Sequence, residues 1–396
     1  MTVLGTGYLG ATHAVCMASL GFEVLGVDVD ASKVARLASG EVPFYEPGLE
    51  PLLRKTLASG RLRFTTSYVE AADFGDVHFL CVGTPQKEHE NAADLDYVYS
   101  AVMTLAPMLT RPCVFAGKST VPVGTAERIA TRIASSAPAG DSVELVWNPE
   151  FLREGFAVED TLHPDRLVFG VSSERGEQAL REAFAPIIAN DTPVVITDLA
   201  TAQLVKVAAN AFLATKISFI NAMAEVCEAT GADVTKLSEA LSHDTRIGGR
   251  FLNAGLGFGG GCLPKDIRAF MARAGELGVD QALTFLTEVD AINLRRRTRI
   301  VDLARELLDE TVTGRRIGVL GAAFKPDSDD IRDSPALDVA SRLSSAGAEV
   351  TVYDPAAMPN ARVRYPDLKY ADSTLEAVDR ADLVLLLTEW PEFREA

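Results

Sequence analysis

Apolar residues follow two rhythms along this chain. Short, mainly apolar runs occupy residues 2–4, 23–27, 77–82, 113–118, 145–147, 166–170 and 194–196. Between them lie segments whose apolar positions return every three or four residues. A run without polar alternation reads as a strand covered on both faces, and strands separated by helical segments predict a parallel sheet. From Asp198 the short runs stop. Leu204, Val207, Ala208, Ala211 and Phe212 open an alanine-rich helical pattern that continues to Cys227, and a second helical block covers 265–308. At Arg316 the strand rhythm returns, with runs at 317–320, 349–353 and 381–387. A chain of 396 residues exceeds one ordinary core. The pattern predicts an α/β protein with domains at 1–197, 198–312 and 313–396, two doubly wound sheet domains joined by an all-helical central one.

The turns between these runs carry the chemistry. The first strand leads into Gly5-Thr6-Gly7-Tyr8-Leu9-Gly10, then a helix closed by Gly21, then a strand ending at Asp28. Alone, a G-x-G-x-x-G is a weak signal; in this order it marks a dinucleotide site. Gly5, Gly7, Tyr8, Leu9 and Gly10 are the expected cradle, with the diphosphate on the helix N-terminus. Asp28 is placed to hold the adenine ribose hydroxyls, which favours NAD over NADP. Lys33 is placed either to reach the same nucleotide or to sit in solvent. Thr84 and Thr120 each follow a strand's C-terminal end, where ligands bind in open sheets; a helix N-cap uses the same residue type.

A second stretch is Gly257-Phe258-Gly259-Gly260-Gly261-Cys262-Leu263-Pro264-Lys265-Asp266. Pro264 suits a first helical turn, which places Cys262 at the positive end of a helix beside Lys265. Both features favour a nucleophilic thiolate. Asp266 follows one turn later on the same face. A thiol beside a carboxylate suits a covalent step followed by attack of water; the bland alternative is a buried structural cysteine. Lys206 and Asn210, four apart on an otherwise apolar helix, also share a face.

Composition narrows the classes. The formal charge of −17 disfavours nucleic acid as a partner but permits an anionic small substrate at a local site. Five cysteines, at 16, 81, 113, 227 and 262, show no metal-ligand spacing and read as reduced thiols of a cytoplasmic protein. The N-terminus runs straight into a strand, so no signal peptide is expected, and no apolar run reaches the length of a membrane span. Ser334 and Pro335 read as an N-cap and first-turn proline, and Asp354 at the end of the 349–353 run echoes Asp28.

Taken together, Gly5 to Gly10, Cys81 to Pro85, Ser119 to Thr125, Asn148 to Gly155, His163 to Arg166, Gly257 to Asp266 and Phe324 to Pro335 resemble the UDP-glucose/GDP-mannose dehydrogenase family, nearest its UDP-glucose branch. The resemblance covers nearly the whole chain. It implies two Rossmann-like domains flanking a helical one, and oxidation of the C6 alcohol of UDP-glucose to a carboxylate with two NAD and one water. It implies that Thr120 and Asp266 hold a water that takes the C6 hydroxyl proton. Lys206 and Asn210 would stabilise the oxyanion, Cys262 would hold the aldehyde, and Asp266 or Glu154 would activate the hydrolytic water. It further implies that Glu150, Phe151, Leu152, Arg153 and Glu154 line the sugar site, with Glu154 also near the nicotinamide. Phe251, Leu252, Asn253, Ala254, Gly255 and Gly259 would contact substrate, as would Lys325. Lys265 and Arg332 would touch the cofactor, and Arg246 would reach a partner subunit's site in a homodimer built on the central helices. Two departures stand out: the family pattern continues beyond Ala396 with a nucleotide-holding arginine, and Gly261 stands where serine is common. The competing readings are the same chemistry on GDP-mannose or UDP-N-acetylmannosamine, a one-step NAD-dependent alcohol dehydrogenase with a structural Cys262, and a nucleotide-sugar-binding regulator.

Overall fold

A computed structural model describes residues 1–394, in two compact units that divide between residues 208 and 209. The first unit is built on eight strands: β1 (Thr2–Leu4), β2 (Val24–Val27), β3 (Leu62–Thr65), β4 (Val77–Leu80), β5 (Cys113–Gly117), β6 (Val143–Trp147), β7 (Leu167–Gly170) and β8 (Val194–Thr197). Their order across the sheet is β3-β2-β1-β4-β5-β6-β7-β8, parallel except where β6 meets β7. The order reverses direction at β1 and β4, and such a switch point opens a crevice at the strands' C-terminal ends. The central strands are mainly apolar because both of their faces are covered. Leu4, Leu80, Phe115 and Trp147 point to one layer, and Val3, Phe79, Val114 and Val146 to the other. β3 was not legible in the sequence, because Leu62-Arg63-Phe64-Thr65 alternates and its arginine is exposed at the sheet edge.

The second unit holds the helices Val234–Ser242, Leu263–Glu276 and Thr284–Leu307 and a smaller sheet. Its strands are β9 (Arg316–Leu320), β10 (Glu349–Tyr353), β11 (Lys369–Tyr370) and β12 (Leu383–Leu386), all parallel, in the order β11-β10-β9-β12. Ser334 caps the helix Pro335–Ser345 by accepting from the Leu337 N–H. Asp354 does follow β10, but it is buried and turned inward. Its carboxylate accepts from the backbone N–H groups of Ala322, Ala323, Ala356 and Ala357 and from Trp390 Nε1. The residue matching Asp28 in sequence therefore braces its own sheet.

The helix Leu199–Thr230 starts in the first unit and ends in the second. It corrects one expectation. With 32 residues and a window of mean hydropathy 1.3 it is long and apolar enough to cross a membrane. Within that helix Gln203, Lys206, Asn210, Ser218 and Asn221 are nonetheless buried. Each is held by protein partners, as in the core helix of a globular unit.

Candidate functional site

In the first unit the glycine turn lies between β1 and the helix Tyr8–Ser19. Gly5 has φ of +85°, and a Cβ at Gly10 would lie 1.8 Å from the Gly5 carbonyl oxygen. The turn therefore exists only with glycine at both places. A Cβ at Gly7 would meet open space, so the backbone there is approachable by a diphosphate. At the end of β2, Asp28 accepts from Thr6 N (2.8 Å), Thr6 Oγ1 (3.0 Å), Asp30 N (3.0 Å) and Lys33 Nζ (3.0 Å). Burial alone would raise its pKa; the Asp30 and Thr6 N–H groups and Lys33 outweigh it and hold Asp28 below the usual carboxylate value. Lys33 thus orders the acid. Glycine turn and acid together fit NAD.

Thr84 Oγ1 donates to the Thr120 carbonyl at 2.8 Å, so the two threonines after β4 and β5 are joined. Lys206 pairs with Glu150 at 3.0 Å, and both side chains are nearly buried. The Lys206 ammonium also lies 5.7 Å from the Phe151 ring, with Arg166 at 3.9 Å from that ring. Glu150 further accepts from the Leu152 N–H, and Arg153 is tied to Asp160. Beneath this loop sits a group that sequence reasoning passed over. Lys118 is buried and donates to Asn148 Oδ1 at 2.8 Å; burial pushes its ammonium down to about 8. The signal was present, since both residues end apolar strands where a charge or amide needs a reason.

In the second unit Cys262 occupies the N-cap of the helix Leu263–Glu276, with Pro264 in its first turn. It is exposed, whereas the other four cysteines are buried. Asp266 is 2% exposed, and its two oxygens accept from Asn210 Nδ2 and Lys265 Nζ, each at 2.6 Å. Three residues expected in the mechanism, thiol, carboxylate and amide, thus lie in this unit, and the ammonium on Asp266 is that of Lys265, expected at the cofactor.

The glycines ahead of Cys262 are there for a further reason. Gly257 and Gly260 have φ of +98° and +80°. A Cβ at Gly259 would lie 2.4 Å from the Asp333 carbonyl, one at Gly260 would lie 2.8 Å from the Phe324 ring, and one at Gly261 would lie 2.2 Å from the Arg332 guanidinium carbon. Protein fills the space beside these three glycines, and a serine at 261 would displace Arg332. Arg332 itself pairs with Asp330 at 2.8 Å. Lys325 lies 5.6 Å from the Phe324 ring. Phe251 holds φ of +66°, Leu252 is buried, and Gly255 is fixed between Asn221 Oδ1 (2.8 Å) and Arg296 Nε (3.2 Å). Arg246 is exposed and paired with Asp244 at 2.6 Å. No group of three or more His, Cys, Asp or Glu side chains placed to hold a metal occurs among the described residues.

Three family models match the chain: the NAD binding domain of the UDP-glucose/GDP-mannose dehydrogenase family over 1–188, its central domain over 200–295 and its UDP binding domain over 318–396. A UDP-glucose 6-dehydrogenase from Rhizobium meliloti is 42% identical across all of this chain and 90% of its own length. Among solved structures, a UDP-glucose dehydrogenase from Pyrobaculum islandicum matches with a TM-score of 0.94 at 40% identity, covering 99% of this chain and 90% of that one. A UDP-D-ManNAc dehydrogenase from Pyrococcus horikoshii matches with a TM-score of 0.86 at 27% identity, over 100% and 90% of the two chains.

Proposed function

The chain belongs to the UDP-glucose/GDP-mannose dehydrogenase family, and on that premise we propose that it oxidises UDP-glucose to UDP-glucuronate with two NAD and one water. One observation carries the reading. Cys262 is exposed at a helix N-terminus, and one turn on lies a carboxylate held by Asn210 and Lys265.

The roles follow from the chemistry of each group. Thr120 and Asp266 hold the water that takes the C6 hydroxyl proton. Lys206 and Asn210 donate to the oxygen as negative charge develops on it. An ammonium has three donors, so the Glu150 pairing is compatible with a substrate acceptor on Lys206. The Cys262 thiolate adds to the aldehyde carbon, and the new C–S bond keeps the half-oxidised sugar from leaving. Loss of a second hydride turns that adduct into a thioester. Water, activated by Asp266 or Glu154, attacks the thioester carbonyl, the C–S bond breaks, and the thiol is recovered. NAD supplies the acceptor for the hydride in both oxidations. Glu150 to Glu154, Phe251 to Gly255, Gly259 and Lys325 are assigned to the sugar nucleotide, and Lys265 and Arg332 to the cofactor. We keep the division into a cofactor domain, a helical centre and a nucleotide-sugar domain.

The experiment is the yield of NADH per mole of UDP-glucose, with GDP-mannose and UDP-N-acetylmannosamine alongside. Two NADH on UDP-glucose supports the reading. A yield of one supports a simple alcohol dehydrogenase, and preference for another sugar moves the assignment within the family. We assign the activity to the cytoplasm, a reading that a nucleotide-sugar substrate and NAD support.

We also assign a homodimer to the central helix. Phe212, Phe219 and Val226 are 67%, 48% and 53% exposed and recur every seventh residue, on one side of the helix. Such a stripe suits a second copy of the same helix. Phe219→Glu should then shift the mass measured by light scattering from dimer to monomer, whereas an unchanged mass would count against the assignment.

A further inference from the structure

Glu46 has no part in the chemistry above. It lies in Pro43-Phe44-Tyr45-Glu46-Pro47-Gly48, between the helices Ala31–Ala38 and Leu49–Ala58, and is 7% exposed. Its carboxylate accepts from three donors in two distant stretches. Tyr8 donates its hydroxyl to Oε2, the Gly155 N–H donates to the same oxygen at 2.8 Å, and the Ala157 N–H donates to Oε1 at 2.7 Å. The Gly155 N–H also reaches the Tyr8 hydroxyl oxygen at 3.1 Å. The Tyr8 ring is packed on Phe44, with centroids 5.0 Å apart. Burial and the neighbouring Glu46 hold the Tyr8 hydroxyl well above its ordinary pKa, so it remains a donor.

The positions of these donors give the arrangement its meaning. Tyr8 is the first residue of the helix that begins at the glycine turn. Gly155 and Ala157 close the loop that carries Glu150 and Glu154. A buried carboxylate is costly unless its hydrogen bonds are met. Here they are met by one residue of the cofactor turn and two of the substrate loop.

We propose that Glu46, acting with Tyr8, is a positioning residue that couples occupancy of the cofactor turn to the order of the 150–157 loop. The inference rests on reading Gly5 to Gly10 as the NAD cradle. A diphosphate on the helix N-terminus fixes its first turn, and with it Tyr8. The Tyr8 hydroxyl fixes the Glu46 carboxylate, which fixes Gly155 and Ala157 and so presents Glu154 in one place. Order gained when the first ligand binds does not have to be supplied by the second, which makes the two bindings cooperative.

The test is hydrogen–deuterium exchange, followed by mass spectrometry, of the peptide covering 150–158 in the full chain. It is run with and without NAD for the unchanged protein, Tyr8→Phe and Glu46→Gln. Glutamine keeps the size, but one of its two terminal atoms is a donor, so it cannot serve three donors. NAD should slow exchange of this peptide about tenfold in the unchanged protein. Both variants should lose most of that slowing while peptides from β5 and β6 exchange as before. The double variant should lose no more than the worse single one. Equal slowing in all forms, or none in the unchanged protein, overturns the coupling. Should Glu46→Gln also loosen β5 and β6, Tyr8→Phe, which removes only a hydroxyl, decides the matter. If NAD orders the loop and UDP-glucose still yields no NADH, the substrate reading fails and the coupling stands.

Discussion

Asn293 offers a quantitative test of how the fold presents Cys262. It is 0% exposed, on the helix Thr284–Leu307, and its amide clamps one residue of the glycine stretch from both sides. Oδ1 accepts from the Phe258 N–H at 2.7 Å, and Nδ2 donates to the Phe258 carbonyl at 2.9 Å. Gly257 makes room for that amide, since a Cβ there would lie 2.2 Å from Oδ1. Asn293→Ala leaves one buried N–H and one buried C=O without a partner, at about 1–3 kcal/mol each. The expected loss is about 2–6 kcal/mol, which for a unit of this size lowers the melting temperature by about 4–24 °C. Asn293→Asp keeps an acceptor for the N–H but sets a buried carboxylate against the Phe258 carbonyl, so near neutral pH it should be no more stable than the alanine variant. Calorimetry and urea titration give the loss, and steady-state NADH formation well below the melting temperature gives the catalytic effect. Cys262 follows Phe258 by four residues, so kcat should fall more than KM rises. A loss under about 1 kcal/mol for alanine would refute the clamp. A full loss of stability with unchanged kcat would refute the link from clamp to thiol.

Other expectations concern the chemistry and the pH response. Cys262→Ser should stall after the first oxidation or at a slow ester, giving little UDP-glucuronate by chromatography; full turnover would remove the covalent role. Lys206→Ala should lower kcat by roughly a hundredfold or more if the ammonium stabilises an oxyanion, and a change confined to KM would argue against that role. His78, 2.6 Å from Thr2 Oγ1, is held down to about 3 by burial and then by the charges of Arg111 and the N-terminus. Its native pKa lies below its unfolded value of 6.5, so the unfolded chain binds the proton more readily. Its stabilising contribution is therefore complete above 6.5 and is lost as pH falls toward 3. Replacing His78 with glutamine should flatten urea stability against pH across that window; an unchanged slope would show that other groups govern it.

Local chemistry made much of this protein readable. Mainly apolar runs announced the central parallel strands, and the glycine turn with Asp28 announced a dinucleotide cradle, because those features depend on backbone geometry within a few residues. Pro264 located the helix that carries Cys262 at its start, for the same reason. What escaped the sequence depends on contacts between distant segments. β3 alternates because it is a sheet edge, and edges are set by neighbours. Asp354 looks like Asp28 in the sequence but is consumed by five donors of its own unit. Nothing near the glycines before Cys262 in the sequence shows that Phe324, Arg332 and Asp333 occupy the space that side chains there would need. Glu46 was singled out by nothing in the sequence; its place is set by Tyr8, Gly155 and Ala157, which folding brings onto its carboxylate. A residue's type is written in the chain, but whether its hydrogen-bonding capacity faces substrate or is spent on the fold is decided only when distant donors arrive.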